Sequence, residues 1–250
     1  MSVFFFAIGA IIASFVGVLV ARLHTGQSFF SGRSRCDACA ASLSVRSLVP
    51  VFSYIASGGR ARCCSARLPL AAPLSELLLG ALFALAYLKL GFAPALPFAL
   101  LSLTLLLALV LYDLAHRILP SSLLYAFVAA GAAVGYLSVS SLTAFYSYAF
   151  TALLIGTFLA LIHFLSRGRA MGLADAPLAF GLALLTGPVA LSGFIFSFWI
   201  GAAFGIVVLA ARPRGSRMGI EVPFAPYLAA GFLLAYFTQW NLFFFAAVLP

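Results

Sequence analysis

Five acidic side chains, Asp37, Glu76, Asp113, Asp175 and Glu221, are spread over 250 residues. With carboxylates this scarce, two placed at equivalent edges of apolar runs are a chemical signal. Asp113 closes one such run in Leu111-Tyr112-Asp113-Leu114-Ala115-His116-Arg117-Ile118-Leu119-Pro120, and Asp175 opens another in Met171-Gly172-Leu173-Ala174-Asp175-Ala176-Pro177. Two carboxylates that meet away from water cannot both ionise cheaply, so they hold one proton between them. One can then activate a water molecule while the other protonates a carbonyl oxygen. The plainer reading pairs Asp113 with His116 or Arg117 at helical spacing and makes Asp175 a cap on its own helix. Gly172 supports the first reading weakly, because a residue without Cβ lets a substrate backbone come close. Asp37 reads as a solvated loop charge and Glu221 as a charge favoured at a helix start.

The sulfur chemistry is confined to one polar stretch. Cys36, Cys39, Cys63 and Cys64 fall between residues 22 and 70, in a segment expected to face a reducing compartment, where metal binding is a more natural role than a disulfide. Cys36-x-x-Cys39 has zinc-ligand spacing, and thiolates on zinc would fold a short polar loop that cannot bury a core. The adjacent Cys63 and Cys64 strain a single tetrahedral ion. A displaced set of Cys36, Cys39 and Cys64 with either Cys63 or His24 would complete it; the alternative is four thiols without a metal. His24, His116 and His163 are too scattered to form a site, and no catalytic role is assigned to them.

Composition says what must position these groups. The chain is 65% hydrophobic and 8% charged, with a mean hydropathy of +1.19, far from the roughly 25% charge of a soluble domain. A soluble enzyme, a disordered tail and a secreted disulfide scaffold are excluded. The expected fold is an all-α polytopic membrane protein with about eight transmembrane helices. The spans run at about residues 2–21, 72–90, 95–115, 121–140, 145–165, 176–189, 191–211 and 223–245. The domain reading is a first transmembrane helix over 1–21, a Cys- and Arg-rich cytoplasmic loop over 22–71, and a membrane-embedded domain over 72–250.

Net charge is +9, with thirteen Arg and one Lys. The Arg cluster beside the apolar runs, at Arg22 to Arg67, Arg117, Arg167 with Arg169, and Arg212 to Arg217. Eight crossings from an outside N-terminus put every Arg-bearing loop in the cytoplasm and Lys89 on the far side. No basic residue precedes the first span, so it reads as an uncleaved anchor. Because each basic cluster abuts a span, lipid headgroups are its expected partner and nucleic acid is not. The same topology brings Asp113 and Asp175 to one depth, at the cytoplasmic edge, where ionisable groups are costly and usually functional.

Set in order, these pieces resemble the bacterial prepilin peptidases, the type IV leader peptidases. The likeness is carried by the N-terminal span, the loop with two Cys pairs, and Ser47-Leu48-Val49-Pro50-Val51-Phe52-Ser53-Tyr54 for an Asn-x-x-Pro-like stretch. It continues with Pro73-Leu74-Ser75-Glu76 at the start of the second span, Asp113 with Leu119-Pro120, Gly172 to Asp175 for a Gly-x-Gly-Asp element, and Pro223-Phe224-Ala225-Pro226. The resemblance implies that Asp113 and Asp175 are the catalytic pair, supported by Gly172 and Glu76. It implies cleavage of a basic leader from prepilin or pseudopilin substrates at the cytoplasmic face of the inner membrane, with no metal or cofactor in the peptidase step. It also implies N-methylation of the new terminus from S-adenosylmethionine, with Glu76 in the methyltransferase region or as a helix cap. Ala174, Pro177, Ser121 and Gly17 stand where the family usually has Gly, Lys, Asp and Asn, and Ala61 stands where its third Cys is expected. The change at Gly17 bears on methylation more than on cleavage. The competing readings are an intramembrane aspartyl protease with another substrate, and a transporter or assembly factor whose carboxylates carry protons or join helices.

Overall fold

Long apolar runs without internal charge can satisfy their own backbone polar groups in lipid only as helices, and the chain is helical. The structure is a computed structural model, and it describes residues 1–23, 38–39, 41, 51–211 and 223–242. The elements are α1 (Ser2–Arg22), α2 (Phe52–Ala56), α3 (Ala71–Leu90), α4 (Leu96–His116), α5 (Ser121–Leu137), α6 (Leu142–Leu165), α7 (Asp175–Thr186), α8 (Ala190–Ala211) and α9 (Ala225–Thr238). Among the described residues the only β pairing is an isolated bridge between Arg60 and Arg67. By length and composition α1, α3, α4, α6 and the continuous run Asp175–Ala211 can each cross a membrane, while α5 and α9 are shorter apolar helices.

Each of the eight expected spans coincides with a helix. Three end sooner than the hydropathy suggests: α5 stops at Leu137 rather than near residue 140, α7 at Thr186 rather than near 189, and α9 at Thr238 rather than near 245. Gln239 takes a left-handed conformation (φ +57°) that closes α9, its N–H donating to the Ala235 carbonyl. Residues 243–245 of that expectation lie outside the described residues. The run from Asp175 to Ala211 is broken by a 3₁₀ turn at Gly187–Val189, where Gly187 has φ +60°.

The chain divides into two compact units, Met1–Phe92 and Ala93–Pro250. The boundary expected at 71–72 falls inside the first of them. In that unit α1 lies along α3 through an approach only glycine permits. A Cβ at Gly9 would stand 2.7 Å from the Leu79 carbonyl oxygen, and one at Gly80 would stand 2.9 Å from that of Phe6. Lipid is as apolar as these side chains, so such helix pairs are held by close packing rather than by release of water.

In the second unit α7 is the centre. Every one of its residues except Pro177 and Phe180 is buried. Helices α5, α6, α8 and α9 contact it directly, and α4 closes the circle between α5 and α9. Small residues line the closest approaches. The α5–α7 seam brings Gly131 to Gly181, and on the α8–α9 seam the Ser197 hydroxyl donates to the Leu228 carbonyl across the helix pair (3.2 Å).

Candidate active site

At one end of the second unit α4 and α6 stop while α7 and α9 begin, and the four chain ends enclose a cleft of about 600 Å³. Asp113 enters it near the end of α4, and Asp175 enters it as the first residue of α7. They are 7% and 8% exposed and line the same cleft, so neither is an ordinary surface carboxylate.

Local structure fixes both groups. Asp113 Oδ2 accepts a hydrogen bond from the Ala225 N–H (3.3 Å). That amide is one of the unsatisfied donors at the start of α9, and Pro226 behind it has none to offer. The Pro-Phe-Ala-Pro stretch therefore supplies a donor aimed at a carboxylate that precedes it by more than a hundred residues. The sequence showed that motif without showing its target. Asp175 does not act as the α7 cap: the cap position is Ala174, and no side chain bonds there. Its own N–H donates to the Gly172 carbonyl (3.3 Å), while the Gly172 amide faces its carboxylate. A Cβ at residue 172 would touch Asp175 Oδ2 at 3.4 Å, so glycine leaves that oxygen open to the cleft.

The remaining walls come from residues that sequence reasoning did not single out for this place. Arg117 follows α4 in a left-handed conformation (φ +56°), its N–H donating to the Asp113 carbonyl (2.7 Å), and lines the cleft beside Arg169. Met171 and Phe224 add apolar surface. The wall between α6 and α7 is held by His163, whose Nδ1 lies 2.8 Å from the Met171 carbonyl, and by the Gly168 N–H donating to the His163 carbonyl (2.8 Å). His163 is thus a structural residue. Of the two partners that the plainer reading gives Asp113, His116 has its ring 4.5 Å from that of Tyr112, and Arg117 lines the cleft with Asp113.

The other candidates lie in the first unit. Glu76, buried on α3, accepts the Val51 N–H at 2.7 Å. Its carboxylate is used on the loop that precedes the helix, not on the start of α3. Val51 needs that anchor, since it holds φ +58°, an uncommon conformation for a β-branched residue. Cys39, Cys63 and Cys64 are exposed, and their sulfurs all lie within 4.8 Å of one another. A tight turn explains this: Ala61 donates to the Ala66 carbonyl and Ser65 to that of Ala61, both at 2.8 Å, which lifts Cys63 and Cys64 onto its tip. Ala61 is buried in the stem, so the displaced pair still reaches Cys39. Cys36 and His24 lie outside the described residues.

Residues 7–90 match the bacterial peptidase A24 N-terminal domain, and residues 100–210 match the type IV leader peptidase family. A prepilin leader peptidase/N-methyltransferase of Legionella pneumophila is 30% identical over 216 residues, covering 84% of this chain and 74% of that protein. The chain belongs to the type IV leader peptidase family. Further relatives with that printed name come from Bacillus subtilis (29% identical, 92% of each chain) and Myxococcus xanthus (32% identical, 85% of this chain and 64% of that one). No solved structure matches the chain.

Proposed function

We propose that this protein is an aspartic endopeptidase of the inner membrane that removes the leader from prepilin or pseudopilin substrates at the cytoplasmic face, with Asp113 and Asp175 as the catalytic pair. The observation that carries the reading is the convergence of these two carboxylates, each under a tenth exposed, on one cleft at the ends of two apolar helices. The clustering of Arg beside the spans supports the cytoplasmic placement. One carboxylate takes a proton from water as the water oxygen attacks the scissile carbonyl carbon, and the other gives its proton to the carbonyl oxygen. Collapse of the tetrahedral intermediate breaks the C–N bond, and the proton taken from water passes to the leaving amine. The Ala225 amide and the Gly172 backbone keep the two side chains in register for these transfers.

The three clustered thiols fit a zinc ion. Zinc–sulfur bonds of about 2.3 Å place neighbouring sulfurs of a tetrahedron about 3.8 Å apart, and the Cys39–Cys63 and Cys63–Cys64 separations are 3.3 and 3.9 Å. Such an ion would tie the turn at 60–67 to Cys39 and takes no part in cleavage. The relatives' names add N-methylation. Among the described residues of the first unit, Glu76 is committed to Val51 and Gly17 contributes no side chain, and these two residues do not outline a site for S-adenosylmethionine. The test of the peptidase reading is cleavage of a prepilin-type substrate by the purified protein in lipid vesicles. Wild type is expected to cut and to lose activity with either Asp113→Asn or Asp175→Asn. An inert wild type would move the transport or assembly reading ahead, and variants that still cut would take Asp113 and Asp175 out of the chemistry.

A further inference from the structure

The connection from α6 to α7, residues 166–174, delivers Asp175 to the cleft, and its backbone groups have no continuous helix to satisfy them. His163, half-buried in the last turn of α6, answers several of those needs. Its carbonyl accepts the Gly168 N–H at 2.8 Å and the Ser166 hydroxyl at 3.2 Å, and Ser166 Oγ in turn accepts the Ala170 N–H at 3.2 Å. Gly168 has φ +75°, and a Cβ there would stand 3.3 Å from His163 Cε1, so glycine lets the chain fold down over the imidazole. The ring then reaches eight residues forward, where Nδ1 lies 2.8 Å from the Met171 carbonyl oxygen. A carbonyl can only accept, so the proton of this bond is on Nδ1.

What the ring holds is one end of a particular peptide group. The Met171 C=O and the Gly172 N–H belong to a single planar unit and point in opposite directions across it. Holding the oxygen therefore sets the direction of the N–H. That N–H faces the Asp175 carboxylate, a Cβ at Gly172 would stand 3.4 Å from Asp175 Oδ2, and the Gly172 carbonyl accepts the Asp175 N–H at 3.3 Å. Glycine cannot hold this plane by itself, since it permits more backbone rotation than any other residue. A donor placed on glycine needs a hold from outside.

We propose that His163 is a positioning residue for the reaction: by holding the Met171 carbonyl it keeps the Gly172 N–H turned toward Asp175, and so fixes the carboxylate that α7 presents to the scissile bond. The inference rests on the peptidase reading for the reaction and adds a residue to which that reading gives no part. His163 is not among the residues that line the cleft; it acts through a peptide group. The other carboxylate shows why such a residue is needed. Asp113 takes its N–H from Ala225, an amide whose direction is set by the start of α9. Asp175 faces an amide that precedes its helix, and the imidazole supplies the constraint that a helix supplies at Ala225. A carbonyl that accepts a bond also makes its own N–H a better donor, because bonds in a chain polarise one another.

The experiment compares two variants of the full chain in lipid vesicles. His163→Phe keeps a ring and loses the donor, whereas His163→Asn carries an amide N–H that can stand where Nδ1 stood. Cleavage of a prepilin-type substrate and amide exchange at Gly172 are read on the same samples. His163→Phe is expected to lower kcat about thirtyfold with KM within about twofold, since a misplacement of about 1 Å can cost a hundredfold in rate. Exchange at Gly172 should quicken about tenfold, as loss of one hydrogen bond allows. His163→Asn should bring both quantities back to within about threefold of wild type. His163→Gln sets the same amide one methylene further out and should behave as the Phe variant does, which preserves the test if His163→Phe does not fold. Wild-type kcat in the Phe and Gln variants, a loss confined to KM, or an Asn variant as slow as the others would overturn the positioning role while the peptidase reading stands. If wild type itself does not cut, the peptidase reading fails, and exchange decides the contact: quickening at Gly172 with Phe and Gln but not Asn upholds the hold on this peptide, and equal exchange in all overturns it.

Discussion

The two units solve opposite problems with polar chemistry. The second unit builds its carboxylates into the packing: Asp175 begins the most buried helix of the unit, and Asp113 is held by the amide that begins another. The first unit keeps its packed part, α1 against α3, free of clustered chemistry and hangs its thiols on an exposed turn between the helices. On the proposed reading, groups that must hold a fixed distance through a reaction sit where helices fix them, while thiols that an ion could join sit together on an exposed turn.

The comparison breaks most sharply at the carboxylates. Asp113→Asn and Asp175→Asn are each expected to lower cleavage by about a thousandfold or more, and the double variant by no more than the worse single one, because residues that act as a unit are not additive. Helical content by circular dichroism should not change. Retained cleavage in either single variant would mean that the buried pair is packing and not chemistry.

The next effect tests whether α7 is as tightly enclosed as its burial implies. Gly131→Ala would drive a Cβ to 2.7 Å from the Gly181 carbonyl oxygen, which is backbone and cannot swing away. Overpacking of this kind costs about 1–3 kcal/mol. The thermal midpoint in lipid should fall, with activity following it. Gly205→Ala on α8 meets nothing within 4 Å and should leave the midpoint in place. Equal midpoints for the two variants would mean that the seam relaxes and the rigid-centre account is wrong.

On the other side of the comparison, Cys39→Ser and Cys63→Ser should reduce bound zinc from about one ion per chain toward none, read by elemental analysis. Amide exchange should quicken over residues 60–67 and stay slow in α7. Full zinc content in both variants would show that these sulfurs are not ligands.

What sequence could and could not reveal follows the same division. The helices were legible to within a few residues at most ends because lipid demands apolar length; α6 begins three residues before the expected 145, where the Ser141 hydroxyl accepts the Ala144 N–H. The edges carrying Asp113 and Asp175 were legible for the same reason. The burial of α7 was not, since its Ala, Gly and Leu composition differs little from that of its neighbours. Nor was the Ala225 amide beside Asp113, because a contact across so many residues leaves no local pattern. For the thiols, motif register pointed to Ala61 as the missing ligand position; the turn chemistry at Ala61 to Ala66 carries Cys63 and Cys64 to Cys39 instead.

The smallest expected effect asks whether the first unit has any fixed polar group at all. Glu76 is its buried carboxylate, and the bond it accepts from Val51 at 2.7 Å opposes the cost of a positive φ at a β-branched residue. Glu76→Gln keeps an acceptor oxygen but removes the charge, so the loss should be that of a charge-assisted bond turned neutral, about 1 kcal/mol. Faster amide exchange at Val51 and through α2, with α1 and α3 unchanged, is the signature. If exchange at Val51 does not move, the strained turn is held by its own backbone, and the first unit depends on helix packing and sulfur alone. If it moves as expected, the Val51 amide and Glu76 form in the first unit what the Ala225 amide and Asp113 form in the second, a helix carboxylate joined to a distant backbone N–H.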